Sequence, residues 1–125
     1  MSDFAEDFFE TMLTFFPSLL YEYEKHIEKC NERLDTVIME DIFMPEIIKL
    51  LNDNSDYELL KSIFEYFEKV STSSDKYFLN VFSITVMEIL GNDKKILEIA
   101  KQYMGPKTVQ LQREADKALG RPLSI

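Results

Sequence analysis

The chain has 125 residues, of which 46% are hydrophobic, with 10 Phe and 6 Tyr; that is enough for one enclosed core and too many large apolar side chains for a disordered polymer. Its formal charge of −9 is unevenly spread, because residues 1–68 sum to −12 and residues 69–125 to +3, so the first half repels nucleic acid and anionic membrane, and its carboxylates read either as a field that speeds encounter with a cationic partner or as a solvated surface that only aids solubility. One cysteine, Cys30, excludes an internal disulfide, and the opening run Met1-Ser2-Asp3-Phe4-Ala5-Glu6 lacks the basic and apolar regions of a secretory signal, so a cytoplasmic protein is expected.

The periodicity predicts one helical domain over residues 1–125. In the first segment Ser2 or Asp3 can cap a helix whose apolar stripe is Ala5, Phe9, Met12, Leu13 and Phe16. Pro17 ends it and can sit in the first turn of the next. That second helix sets Leu20, Tyr23, Ile27, Cys30 and Leu34 on one side, against carboxylates and lysines on the others. A third is expected to start at Pro45, since the proline ring disfavours a helical Met44, and residues 35–44 are left open as loop, short helix or kinked beginning.

Ser55-Asp56-Tyr57-Glu58 reads as a capping box in which Ser55 and Glu58 satisfy each other's amides. Leu59, Leu60, Ile63, Phe64, Phe67 and Val70 then follow at helical spacing. After the polar turn 71–74, a fifth helix from about Asp75 to Leu90 is apolar around most of its circumference and belongs in the middle of the fold. Its apolar run is broken by Asn80, Ser83, Thr85 and Glu88, and it falls short of the roughly 20 residues that cross a bilayer. Gly91 is expected to end it in a left-handed conformation, Asn92 or Asp93 to cap a sixth helix through Met104, and Gly105-Pro106 to open a seventh that ends near Gly120. The predicted fold is all-α, a compact array of about seven helices, with α-solenoid (HEAT-like) helix pairs as an alternative arrangement.

Glycine occurs only at positions 91, 105 and 120, so neither a dinucleotide fingerprint nor a phosphate-binding loop can be written, and no Gly-x-Ser-x-Gly elbow appears. Glu22, His26 and Cys30 fall at i, i+4 and i+8, but three positions along two turns span about 12 Å, too far for all three to reach one zinc. Cys30 continues the apolar stripe and is expected in the core, with His26 at its boundary. Asn52 to Asp56 carries oxygen ligands without the central Gly and distal Glu of a calcium loop, and helix capping accounts for it better. Glu88 interrupts the most apolar helix and is expected to reach an edge or find a partner. Lys94, Lys95, Lys101 and Lys107 read as a solvated helix face. No catalytic residue, metal site or cofactor is therefore assigned.

From Ser55 onward, Tyr57-Glu58-Leu59-Leu60 through Phe64-Glu65-Tyr66-Phe67-Glu68, then Phe82-Ser83-Ile84-Thr85-Val86-Met87-Glu88-Ile89-Leu90-Gly91, then Tyr103-Met104-Gly105-Pro106-Lys107-Thr108 resembles a group of small bacterial helical proteins that look like immunity proteins of toxin systems. That resemblance, over about residues 55–110, implies a non-catalytic protein that neutralises a toxin by occluding its active surface; no functional residue is carried over with it. The acidic first half suits a basic, nuclease-like toxin through electrostatic steering. The expected partner-binding residues are Glu22, Glu24, Glu28, Glu32, Asp35, Glu40 and Asp41. The alternative is a helical adaptor or scaffold that takes a peptide or helix in an apolar groove; a small hydrolase or metal enzyme centred on His26, Cys30 or Glu88 is the third reading.

Overall fold

The structure, a computed structural model, describes residues 4–121. Seven helices and no strand occur among those residues, in the order the hydrophobic spacing predicts. The expected cap at Ser2 or Asp3 lies outside them.

Helix α1 (Phe4–Phe15) buries Ala5, Phe8, Phe9 and Met12. The Phe8 ring lies 4.7 Å from Phe78, 5.7 Å from Tyr66 and 6.2 Å from Phe82, and Phe9 lies 5.9 Å from Phe43. One helix thus touches three others that are distant in sequence, whereas the units of a linear solenoid meet only their neighbours; the array is compact. Phe8 falls outside the predicted stripe because a helix surrounded on several sides buries more than one narrow face. Pro17 then opens a short 3-10 turn (Pro17–Leu19) that feeds α2 (Leu20–Cys30). As predicted, the missing proline N–H falls where a helix start leaves its amides unpaired.

Helix α3 corrects the sequence reading. Asp35–Ile38, a π turn at Met39–Phe43 and Met44–Asp53 form one continuous helix through Pro45. Met44 is helical at φ −61° and ψ −38°, and its amide donates to the carbonyl of Met39, five residues back. The wider turn admits the proline: a regular turn would set the Pro45 ring against the carbonyl of Asp41, and the i+5 pattern displaces that carbonyl. Asn54 closes α3 in the left-handed region, φ 44°.

Helix α4 (Tyr57–Ser71) starts one residue later than the capping box requires. Asp56, not Ser55, is the cap, and its carboxylate accepts from the amide of Leu59 at 3.2 Å. Left-handed Asn54 leaves Ser55 exposed in the linker, so the next oxygen in sequence takes the amide. Leu60, Ile63, Phe64, Phe67 and Val70 face inward as predicted.

Helix α5 is likewise composite: Lys76–Phe82, a π turn at Ser83–Met87, and Glu88–Gly91. Asp75 caps it through the amide of Phe78 at 3.0 Å. The two π turns, of α3 and α5, pack against each other. Contrary to an all-round apolar burial, Tyr77 and Ile84 face solvent. Gly91 ends α5 without a positive φ; the left-handed residues among those described are Asn31, Asn54 and Gly120. Glycine is needed at 91 for space, because a Cβ there would stand 2.7 Å from Asp116 Oδ1 and closer still to the Arg121 guanidinium.

Asp93 caps α6 (Lys94–Lys101) by accepting from the amides of Lys95 and Ile96. This helix stops short of Met104 in a turn at Gln102 and Tyr103, where the Tyr103 hydroxyl donates to Asn54 Oδ1 at 2.9 Å. Gly105 and Pro106 then open α7 (Pro106–Ala118), and Gly120 at φ +71° follows its end, both as predicted. One cluster of buried apolar side chains, from Ala5 to Ala115, joins these helices. Seven of the ten phenylalanines are almost wholly inside it. At about 1.5 to 3 kcal/mol for each large apolar side chain taken from water, this cluster is the main force that holds the array together.

Candidate partner-binding surface

Helix α2 is the outlier of the fold. None of the residues from Leu20 to Cys30 is buried. Tyr23, Ile27 and Cys30 are half-buried on its inner side, where the Tyr23 ring lies 5.8 Å from Phe9 and 6.3 Å from Phe43. Leu20, expected in the apolar stripe, is instead 46% exposed, and Tyr21 is 69% exposed. The reason lies at the start of the helix: Leu19, in the preceding 3-10 turn, takes the buried position and turns Leu20 outward.

The predicted carboxylates do not act as one set. Glu22, Glu24 and Glu28 are exposed on α2, and left-handed Asn31 ends that helix just before exposed Glu32. Between them Lys25 reaches back over the Tyr21 ring, 5.5 Å from its centre, with Nζ 3.4 Å from the hydroxyl. Tyr21, Glu24, Lys25, Glu28 and Lys29 surround a shallow depression. The outermost strip therefore alternates in sign, and the surplus negative charge comes from its flanks. Glu40 and Asp41 are exposed on the π turn of α3.

Asp35 belongs to the interior. Its side chain is 5% exposed, lies 2.5 Å from Arg33 Nε, and accepts from the Tyr77 hydroxyl at 3.0 Å. The Arg33 guanidinium in turn lies over the Phe9 ring at 5.8 Å. A buried carboxylate must be paired and hydrogen-bonded, and Asp35 is both, so it fixes the start of α3 and offers nothing to a partner.

Two carboxylates missing from the sequence-based set stand near α2. The Tyr23 phenol is pushed up, first by burial and then by the negative charge of Asp35, Glu6 and Glu10, with Arg33 opposing. Glu6 and Glu10 of α1, both exposed, thus share their electrostatic field with the inner edge of α2. Their i, i+4 spacing on the polar side of α1 was the available signal; what the sequence did not show is that this side adjoins α2.

His26 Nε2 and Cys30 Sγ are 3.8 Å apart on half-buried neighbouring turns. Among the described residues no group of three His, Cys, Asp or Glu could hold a metal ion. Glu88 is half-buried where the last part of α5 begins, and its backbone carbonyl accepts from Arg121 Nη1 at 3.1 Å. Lys94, Lys95 and Lys107 are exposed, whereas Lys101 is half-buried. Among the described residues no helix is long and apolar enough to cross a membrane.

A family model described as "Domain of unknown function (DUF7674)" matches residues 9–119. The chain belongs to this family. The DUF7674 match runs from α1 through the end of α7 and so includes α2 and its carboxylates. No curated protein and no solved structure matches the chain. Membership in DUF7674 establishes kinship for both halves and assigns neither a partner nor an activity.

Proposed function

We propose that this DUF7674 domain is a non-catalytic protein-binding module of the immunity type, which neutralises a basic, nuclease-like toxin by covering its active surface. The observation that carries this reading is α2: a helix with no buried residue that leaves Leu20 and Tyr21 uncovered beside Glu22, Glu24, Glu28 and Glu32, with Glu6 and Glu10 of α1 near its inner edge. A helix so lightly held adds little to the core, and an exposed tyrosine with a charged rim is the composition of an interface centre. The surplus of carboxylates selects a cationic surface and speeds its approach. Asp35 is excluded from this face, and Glu40 and Asp41 of α3 are its outer members in the proposal.

The test has two parts. Co-expression with a basic, nuclease-like toxin found among the products of neighbouring genes should restore growth, and a variant with Glu22, Glu24, Glu28 and Glu32 all changed to Lys should fail to do so while keeping its fold by circular dichroism. With the purified pair, the same variant should associate more slowly and with a flatter dependence on ionic strength. Full protection by the reversed variant would reject the surface.

A second reading, an adaptor that takes a peptide or helix, is favoured by a different place: a shallow groove lined by Tyr57, Lys61, Glu65, Gln102 and Tyr103, with Tyr57 62% exposed. Binding there would follow aromatic contact and respond weakly to salt, which separates it from binding at α2.

A further inference from the structure

Helix α7 is held differently from the rest of the array. Its buried residues are Thr108, Gln112, Ala115 and Asp116, so the face it turns to the protein is mostly polar, with Leu111 half-buried beside them. It lies against α4, the π turn of α5 and the last turn of α5. At its start the Glu68 carboxylate of α4 accepts from the amides of Lys107 and Thr108 and from the Thr108 hydroxyl, at 2.9 to 3.0 Å. The Thr108 hydroxyl is also 3.3 Å from that of Ser71.

Further along, Gln112 Nε2 donates to the Met87 carbonyl at 2.9 Å and to Asp116 Oδ1 at 3.0 Å. Arg121 meets Asp116 at 3.5 Å and donates to the Glu88 carbonyl and to Asn92 Oδ1. Gln112 Oε1 is buried with no hydrogen-bond partner among the described residues. A hydrogen bond exchanged for one with water brings a small net gain, whereas burial of apolar surface is the dominant favourable term in folding. Ala115 is the one apolar residue among those that α7 buries, and few buried apolar contacts mark a unit that can open below the free energy of global unfolding.

We propose that α7 is a latched cover, which lifts from α4 and α5 as a unit while the other helices stay packed, with Glu68 as the latch. The domain then has two states, closed and α7-open, and the open one uncovers the strip of α4 and the π turn of α5 beneath. This is independent of the α2 surface.

Native-state hydrogen exchange on the full chain, over a series of low denaturant concentrations, tests it. The amides of residues 111–118 should be protected at least about tenfold less than those of residues 64–70 in α4, with a shallower denaturant dependence, since a partial opening exposes less surface. Equal protection and equal slopes in the two helices would overturn the proposal. Glu68→Gln should lower the protection of α7 by about a further tenfold, the order expected of hydrogen bonds to a charged acceptor, while α4 changes less. An equal loss in both helices would mean that Glu68 supports the whole fold and is no latch. Should that variant not fold, the wild-type comparison decides.

Discussion

Gly105 and Glu68 meet so closely that a Cβ on residue 105 would stand 2.5 Å from both Cδ and Oε1 of the carboxylate. The backbone at Gly105 is extended, with φ −83° and ψ 175°, so the glycine is required for space and not for its conformational range. Glu68 caps α7 from another helix because Gly105 itself has no side chain with which to do so.

Gly105→Ala should therefore cost about 1 to 3 kcal/mol, the usual range for overpacking, with part of it from the displaced cap. Urea unfolding measures it. A loss below about 0.5 kcal/mol, the range of an ordinary surface substitution, would show that Glu68 can retreat without consequence.

The same carboxylate gives a pH dependence with a defined sign. Burial alone would raise the Glu68 pKa, but the amides of Lys107 and Thr108, the Thr108 hydroxyl and the Lys107 charge outweigh it and hold the group below 4.5. A group with a depressed folded pKa stabilises fully above its unfolded value and loses that contribution as pH falls through the folded one. Acid unfolding of the wild type should show this loss below about pH 4.5. Glu68→Gln should be less stable at neutral pH and show a smaller fall in stability on acidification. An unchanged slope would place the acid sensitivity on other carboxylates.

Gly91 and Gly120 separate two reasons for needing glycine. Gly91→Ala forces a methyl group against Asp116, which is 2% exposed, and against Arg121, and should cost about 1 to 3 kcal/mol. Gly120→Ala has nothing within 4 Å to strike among the described residues but must adopt φ +71°, which costs about 1 to 2 kcal/mol. Adding Arg121→Ala should relieve part of the first loss and none of the second, as a double-mutant cycle would measure. Equal relief at both sites would contradict the steric account.

Asp56→Ala should destabilise by about 0.5 to 2 kcal/mol as the loss of a helix cap. Ser55→Ala should stay within about 0.5 kcal/mol, being an exposed linker substitution. Thermal or urea unfolding of the two variants distinguishes them, and the reverse order would reinstate Ser55 as the cap.

Much of the array was legible in the sequence because local rules settle it. Helical spacing of the large apolar residues located α1, α2, α4, α5, α6 and α7, and the punctuation at Pro17, Asp93 and Gly105-Pro106 marked their ends. The proposed partner surface was legible only as composition: Glu22, Glu24, Glu28 and Glu32 are where a polar helix face puts them, but Asp35 turns inward to Arg33 and Tyr77.

What the chain alone determined is the number, type and order of its helices, since backbone hydrogen bonding and the 3.6-residue period act over a few neighbouring positions. The packing decided the rest: that α3 runs through Pro45 on a wider turn, that Gly91 is needed for room, that Glu6 and Glu10 stand near the inner edge of α2, and that a carboxylate of α4 closes α7. Each of these depends on which side chains from distant segments meet, and contact between remote residues leaves no period to read.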